Sequence, residues 1–355
     1  MNLQRGYTRW IVAFFFLLWT PLSFAQAIQG AGSKFPYPLY EKWFASFRKL
    51  HPSVKIEYKP IGSSAGIERL MAGTSDFAAT NAPVTEEQLR AIKLKLGKDV
   101  LLIPTVAGAV VPIYKVDGVN TDLKFTGSAL AGIYLGSITK WNAPEIVDAN
   151  PGVSLPNAKI IVVHRSDTSD TSYLWTTYLS QMSPAWKAGP GAGVNVRWPT
   201  GLGTKGDDGV ADLVIGPTGD VGVTELVSSL PNSIGYVQLR YAIDNQLPYG
   251  DVQNSSGAFV RATASSITAA GASNEVLGLS GNPLANEYSQ TAYPLSSFTW
   301  LLIPVEMKDK TKANAVADFL KWMLTEGQQT VEPLHYARIP KNIVAQALTE
   351  IARLQ

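Results

Sequence analysis

KIIVVHRSDTSDTSYLWTTYLSQM, residues 159–182, joins three patterns without a break. Ile160–Val163 is an apolar, β-branched run that reads as a buried strand. Tyr173, Leu174, Trp175, Tyr178 and Leu179 then recur at helical spacing, which predicts a helix over 171–181. Between them stands one guanidinium, Arg165, followed by seven residues that are all Ser, Thr or Asp. A strand that turns into a helix through hydroxyls and an arginine marks an α/β fold. It also aims donors at the helix N-terminus, where backbone N–H groups are unpaired and the dipole favours an anion.

Two more junctions share that grammar. IQGAGSKFPYPLYEKW (28–43) and YKPIGSSAGIERLM (58–71) each pass from an apolar run through glycine and hydroxyl residues into a helix start. Each alone is explained by capping, since Ser63, Ser169 or Thr171 at a helix start contributes about 0.5–2 kcal/mol by itself. Three together, one with an arginine, predict a composite oxyanion site, because glycine lets backbone approach a ligand and arginine offers a fixed fork of donors.

The wider pattern alternates strands and helices. Strands are predicted over 27–30, 54–58, 77–80, 101–107, 110–114, 160–163, 234–237 and 298–304. Helices are predicted over 36–50, 66–71, 86–96, 128–135, 171–181, 210–214, 313–325 and 340–354. In the first helix Leu39, Tyr40, Trp43, Phe44 and Phe47 form one stripe, read as core. Segments 184–206 and 250–286, rich in Pro, Gly, Ser and Asn, read as loops, and no internal repeat is evident.

With 355 residues, 46% of them hydrophobic, the chain is long enough for two domains with their own cores. Arg5 and Arg9, the apolar run 10–19 and the small residues Ser23 and Ala25 read as a secretory signal peptide over 1–25, cleaved after Ala25. The 30 basic residues less these two arginines leave 28 against 28 acidic ones, so no basic excess favours nucleic acid. There is no cysteine, and the three histidines stand far apart, so no thiolate or His-rich metal site and no cofactor is expected. GLGTKGDDG (201–209) lacks the Ser or Thr of a Walker A loop, and Asp207-Asp208 reads as a helix N-terminus.

In GAGSKFPYPLYEKW (30–43), IGSSAGIERLMAGTSDFAATNAPVT (61–85), YLGSITKWN (134–142), VVHRSDTSDTSYLWTTYLS (162–180), WPTGLGTKGDDGVA (198–211) and SIGYVQLRYA (233–242), the chain resembles the periplasmic phosphate-binding proteins of bacterial Pst uptake systems. The resemblance implies a two-lobed α/β periplasmic solute-binding protein with a central cleft and chain crossovers between lobes. It places lobe I at 26–106 plus 290–355 and lobe II at 107–289. It implies a monomer that binds phosphate in the periplasm and delivers it to an inner-membrane ABC permease, without catalysis.

Residue by residue, the resemblance places Phe35, Ser63, Arg165, Ser169 and Thr171 on the ligand, with Asp167 beside Arg165 to temper its charge. Three further ligand positions depart from the family. Lys34 stands where Thr is usual, Asn81 where Asp is usual, and Asp170 where Gly is usual. A pocket carboxylate accepts the proton that phosphate keeps and repels sulfate, which has none. Losing it at Asn81 leaves two readings open. Either Asp170 takes that role and phosphate stays the ligand, or the site is retuned to a sulfate-like anion, a phosphonate or a phosphate ester. On this reading Asn81→Asp sharpens rejection of sulfate. The stretch 216–223, PTGDVGV and its preceding glycine, reads as a surface-loop insertion. A phosphate-ester hydrolase is the alternative of another class. It needs a metal cluster or an activated nucleophile, and the sequence signals neither.

Overall fold

The computed structural model describes residues 26–82, 84–203, 219–272 and 289–354. The signal-peptide reading over 1–25, the helix predicted over 210–214 and the Asp207-Asp208 helix start fall outside them. In chain order the first elements are β1 (Gln26–Gly32), α1 (Tyr37–Leu50), β2 (Val54–Lys59), α2 (Ser63–Met71), β3 (Phe77–Thr80), α3 (Glu86–Leu96), β4 (Val100–Lys115), β5 (Lys124–Phe125), α4 (Gly127–Leu135) and α5 (Pro144–Val147). Next come β6 (Ile161–His164), α6 (Asp170–Met182), α7 (Pro184–Ala188), β7 (Leu202–Gly203), α8 (Asp220–Ser229), β8 (Ser233–Gln238) and α9 (Leu239–Asp244). The last are β9 (Asp251–Gln253), β10 (Phe259–Val260), α10 (Ala264–Ala272), β11 (Ser296–Pro304), α11 (Lys310–Leu324) and α12 (Lys341–Ile351).

One sheet of order β2-β1-β3-β11-β4-β8-β6-β7 runs through the whole fold. Its centre is β4, which the sequence divides into two strands and the fold keeps as one of 16 residues. Val100–Ala109 pairs antiparallel with β11, and Val110–Lys115 pairs antiparallel with β8. Nearly every β4 residue is buried, which its unbroken β-branched and apolar composition requires. Pro104 lacks a donor for the ladder, and the register slips beside it, so that Thr105 has no partner across on β11. The bulged Thr105 is held by side chains instead: it donates to Thr299 O, shares a hydrogen bond with Tyr40 and accepts Gln328 Nε2 at its carbonyl.

On one half, the α1 stripe is core as its spacing predicts: Leu39, Tyr40, Trp43 and Phe47 are buried. Phe44 and Phe47 meet Phe319 of α11 at ring separations of 5.5 and 5.3 Å. α2 lies so close to β1 that a Cβ on Gly66 would sit 2.4 Å from Gly32 Cα, so only glycine fits. On the other half, Tyr134, Trp175, Trp198 and Tyr236 stack behind the end of β6. The segments read as loops hold more structure than their composition indicates. α7 and β7 lie within 184–206, and β9, β10 and α10 lie within 250–286. Their polar composition hides them because the elements are short and bury few side chains.

Candidate functional site

Four helix starts converge on one cavity of about 410 Å³. Lys34 and Phe35 precede α1, Gly62–Ala65 open α2, Thr168–Thr171 open α6, and Gly219–Val221 open α8. Arg165 lies between them. Three of these four starts lie in the junctions singled out from sequence; the α8 start does not.

The α1 and α2 side offers neutral donors. Gly62, at φ +98°, turns the chain into α2 with no side chain capping the helix. The first-turn amides of α2 therefore face the cavity unclaimed by a cap. Ser63 Oγ accepts Asn81 N at 3.4 Å and donates to Asp170 Oδ2 at 2.7 Å. Ser33 Oγ accepts Phe35 N and donates to Asn81 Oδ1 at 2.7 Å. Lys34 lines the cavity from an exposed position.

Asn81 is not a lining residue. It lies behind Ser33 and Ser63, buried, with Thr299 Oγ1 donating to its Oδ1 and its Nδ2 directed at Ser297 Oγ and Phe298 O. The resemblance places it on the ligand because the family has an aspartate at this position after β3; here the side chain bonds to Ser33, Ser297, Phe298 and Thr299 instead.

The α6 and α8 side is charged and buried. Tyr236 Oη accepts the Arg165 amide and shares a hydrogen bond with Ser172, which fixes where the Arg165 side chain leaves β6. Asp167 takes Nε and Nη2 of Arg165 in a bidentate pair, both at 2.6 Å. Asp220 takes Nη1, also at 2.6 Å. Three of the five guanidinium N–H groups are thus used, leaving one on each terminal nitrogen. Burial works against the charge of Arg165, and the carboxylates of Asp220 and Asp167 more than offset it, so its pKa lies above the usual arginine value. Burial likewise opposes the charge of Asp167, but the bond from Arg165 prevails and its pKa lies below the ordinary one.

Ser169 caps α6, accepting the amides of Thr171 and Ser172 and keeping its own proton to donate. Thr171 Oγ1 donates to Asp220 Oδ2 at 3.3 Å. Asp170 lines the cavity beside them. Burial pushes its pKa up, only partly countered by the bonds from Ser33 and Ser63 and by the charges of Arg165 and Lys34.

Asp220 is the residue that sequence reading misses. It lies in the stretch read as a surface-loop insertion, yet it is buried at the start of α8, with Gly222 and Val223 buried after it. Its carboxylate also accepts Gln238 N. A signal was present. Residues 203–215, GTKGDDGVADLVI, and 216–228, GPTGDVGVTELVS, agree at 7 of 13 positions, so an internal repeat does exist. The repeated motif is Gly-Asp-x-Gly-Val, and in its second copy a Cβ on Gly219, at φ +87°, would sit 3.8 Å from Arg165 Nη2. Its first copy, Gly206–Val210, falls outside the described residues.

A family model described as a PBP superfamily domain matches residues 21–326. A phosphate-binding protein PstS of Pasteurella multocida is 37% identical over 335 residues, covering 92% of this chain and 91% of that protein. A phosphate-binding protein PstS of Methanocaldococcus jannaschii is 36% identical over 350 residues, covering 91% and 85%. Among solved structures, a phosphate-binding protein from Stenotrophomonas maltophilia aligns with TM-score 0.64 at 18% identity, over 92% of this chain and 94% of that one. At that identity the alignment speaks for the two-lobed fold alone.

Proposed function

The chain belongs to the PBP superfamily and, within it, to the PstS phosphate-binding proteins, and on that premise we propose that it binds inorganic phosphate with high affinity for import by an ABC permease. The observation that carries the reading is the convergence on one cavity of four helix N-termini and an arginine paired with two carboxylates, with two of its five N–H groups left over. Such a site holds a tetrahedral oxyanion by hydrogen bonds rather than by excess charge. Lys34 and Arg165 face Asp167, Asp170, Asp220 and Glu68 around it, so cations do not outnumber carboxylates. An anion still gains there, because the N–H groups and hydroxyls are held in place before it arrives.

In this reading Ser169, Arg165 and the first-turn amides of α2, that of Ser63 among them, contact the ligand oxygens. Thr171 and Asp167 hold Arg165 and Asp220 in place. Lobe I comprises the strands on the β11 side of β4, and lobe II those on the β8 side, changing over between Ala109 and Val110. A ligand bridging residues 62–65 and 165–170 draws the lobes together about that changeover. The protein acts in the periplasm, as a monomer, and changes no bond in its ligand.

The test is the melting temperature and titration calorimetry of ligand-stripped protein with phosphate, arsenate, sulfate and aminoethylphosphonate. Binding adds RT ln(1 + [L]/Kd), about 2.7 kcal/mol at 100 Kd. Phosphate is expected to stabilise most. Stabilisation by sulfate or the phosphonate alone replaces phosphate as the ligand, and turnover of a phosphate ester replaces transport by hydrolysis.

A further inference from the structure

Resting on that reading, we propose that Arg240 is a positioning residue for the ligand, a latch across the hinge whose hydrogen bonds are completed only when the lobes close. Arg240 belongs to α9, which starts beside the changeover of β4: Gln238, the residue before α9, pairs with Val110 at the start of the lobe II half. On the other side of the changeover Ala337 pairs with Ala107, in the lobe I half, and exchanges both backbone hydrogen bonds with it. The two residues before Ala337 meet α9 across the hinge, and His335 Nε2 lies 3.4 Å from Asp244 Oδ1.

The bonds of Arg240 are incomplete. Its Nη2 donates to Asp244 Oδ2 at 3.2 Å. Its Nε and Nη1 are buried and have no hydrogen-bond partner among the described residues. Buried polar atoms are nearly always paired, and charged ones left unpaired cost the most. The matching acceptor is on lobe I. Tyr336 Oη donates its one proton to Phe35 O at 2.6 Å, so its lone pairs remain open to an N–H. Burial raises the pKa of Tyr336, and the charge of Arg240 is the strongest effect against that rise, so the two groups interact before any hydrogen bond joins them. A contact beside the hinge moves little as the lobes rotate, so a small closure is enough to make that bond.

Each end of the latch leads to the ligand, although Arg240 itself does not line the cavity. On lobe I, Phe35 lines it. The Phe35 carbonyl is held by Tyr336, and its ring fills the space beside β4, where a Cβ on Gly108 would sit 2.3 Å from it. On lobe II, Tyr241 lines the cavity, and the Arg240 guanidinium lies over its ring, 5.2 Å from the centroid. A phosphate that draws the lobes together thus brings Arg240 onto Tyr336. The bond so formed holds one wall of the cavity against the other and slows reopening.

The experiment is calorimetry and stopped-flow release of phosphate for wild type, Arg240→Met, Tyr336→Phe and the double variant, with a melting curve of each without phosphate. Arg240→Met keeps an apolar stem and removes the N–H groups. It is expected to weaken phosphate binding roughly 10- to 100-fold, mostly through faster release. Without phosphate it is expected to melt no lower than wild type, because the half-exposed pair with Asp244 contributes little and two unpaired nitrogens are gone. In the Tyr336→Phe background, Arg240→Met is expected to weaken binding little further. Wild-type affinity in Arg240→Met overturns the latch, and so do losses that simply add in the double variant. Should Arg240→Met fail to fold, Arg240→Lys, with one nitrogen in place of three, carries the same test. If wild type binds no phosphate, the phosphate reading falls and the latch with it; if wild type and Arg240→Met bind it equally, only the latch falls.

Discussion

The two sides of the cavity reach the same end by different means. The α1 and α2 side lines the cavity with only two charged side chains, Lys34 and Glu68, both exposed; its helix is uncapped and its hydroxyls are shared with a buried amide. The α6 and α8 side has a capped helix and a cation, with that cation pinned by two carboxylates. The first keeps donors available by leaving them unpartnered, the second by over-partnering one donor until it cannot move. An uncapped helix start is inexpensive in an open cleft because water pairs with it until a ligand arrives. A buried guanidinium has no such option and requires carboxylates in every state.

Breaking the charged side therefore has the larger effect. Arg165→Ala is expected to abolish measurable phosphate binding and to destabilise the protein by about 3–5 kcal/mol, because two buried carboxylates lose their partner. Calorimetry and urea denaturation check both. Asp220→Ala follows, at about 3 kcal/mol of stability lost with the Arg165–Asp167 pair remaining, read from the same denaturation curves. If Asp220→Ala leaves stability unchanged, the pinning account of that side fails.

On the neutral side the structure alters an expectation. Asn81→Asp reads from sequence as a way to sharpen rejection of sulfate. In place it sets a carboxylate against Ser297 Oγ and Phe298 O, where Asn81 now directs N–H groups, and close to the serines that serve Asp170. A loss of about 1–3 kcal/mol is expected from the repelled carbonyl, seen as a lower melting temperature, without a gain in selectivity. Lys34→Ala is expected to change affinity by under about 1 kcal/mol and only at low salt, as for other exposed charges.

Asp167 and Asp170, three residues apart, titrate in opposite senses. The pKa of Asp167 is lowered on folding, so its contribution is present above the unfolded carboxylate range and disappears as pH falls through its folded pKa. The pKa of Asp170 is raised, so its ionised form costs stability at neutral pH, and that cost vanishes as pH falls through its folded pKa. Without ligand, Asp170→Asn is expected to melt a few degrees above wild type at pH 7, and Asp167→Asn below it. Both differences shrink in acid, that of Asp170→Asn at the higher pH. Melting curves from pH 7 to pH 3 test the order.

The repeat offers the smallest perturbation of all. Deleting residues 204–216 joins Gly203 to Pro217 and leaves one Gly-Asp-x-Gly-Val copy before α8. A Cβ on Gly203 would sit 3.1 Å from Ser166 Cβ, next to the arginine in sequence, and in the variant three residues, Pro217, Thr218 and Gly219, join Gly203 to Asp220. Unchanged phosphate affinity with a melting temperature near wild type is the expected result. Loss of binding shows that the first copy contributes to the site.

Sequence alone determined what depends on neighbours along the chain. The helical stripe of α1, the apolar runs of β4 and β6, and the Ser169 cap of α6 follow from local spacing and local hydrogen bonds, so they are legible before any fold is known. It also identified the arginine, and the resemblance set Asp167 beside it; the structure makes that pair bidentate. Tertiary structure decided the rest, for one reason: a buried charge or hydroxyl takes its partner from whatever the fold brings near. Asp220 meets Arg165 across 55 residues, and Ser63 meets Asp170 across 107. Apart from the Gly-Asp-x-Gly-Val repeat, no local pattern tells an aspartate in a surface loop from one that the fold carries against Arg165. The same packing set Asn81 behind Ser33 and Ser63 and left Asp170 lining the cavity.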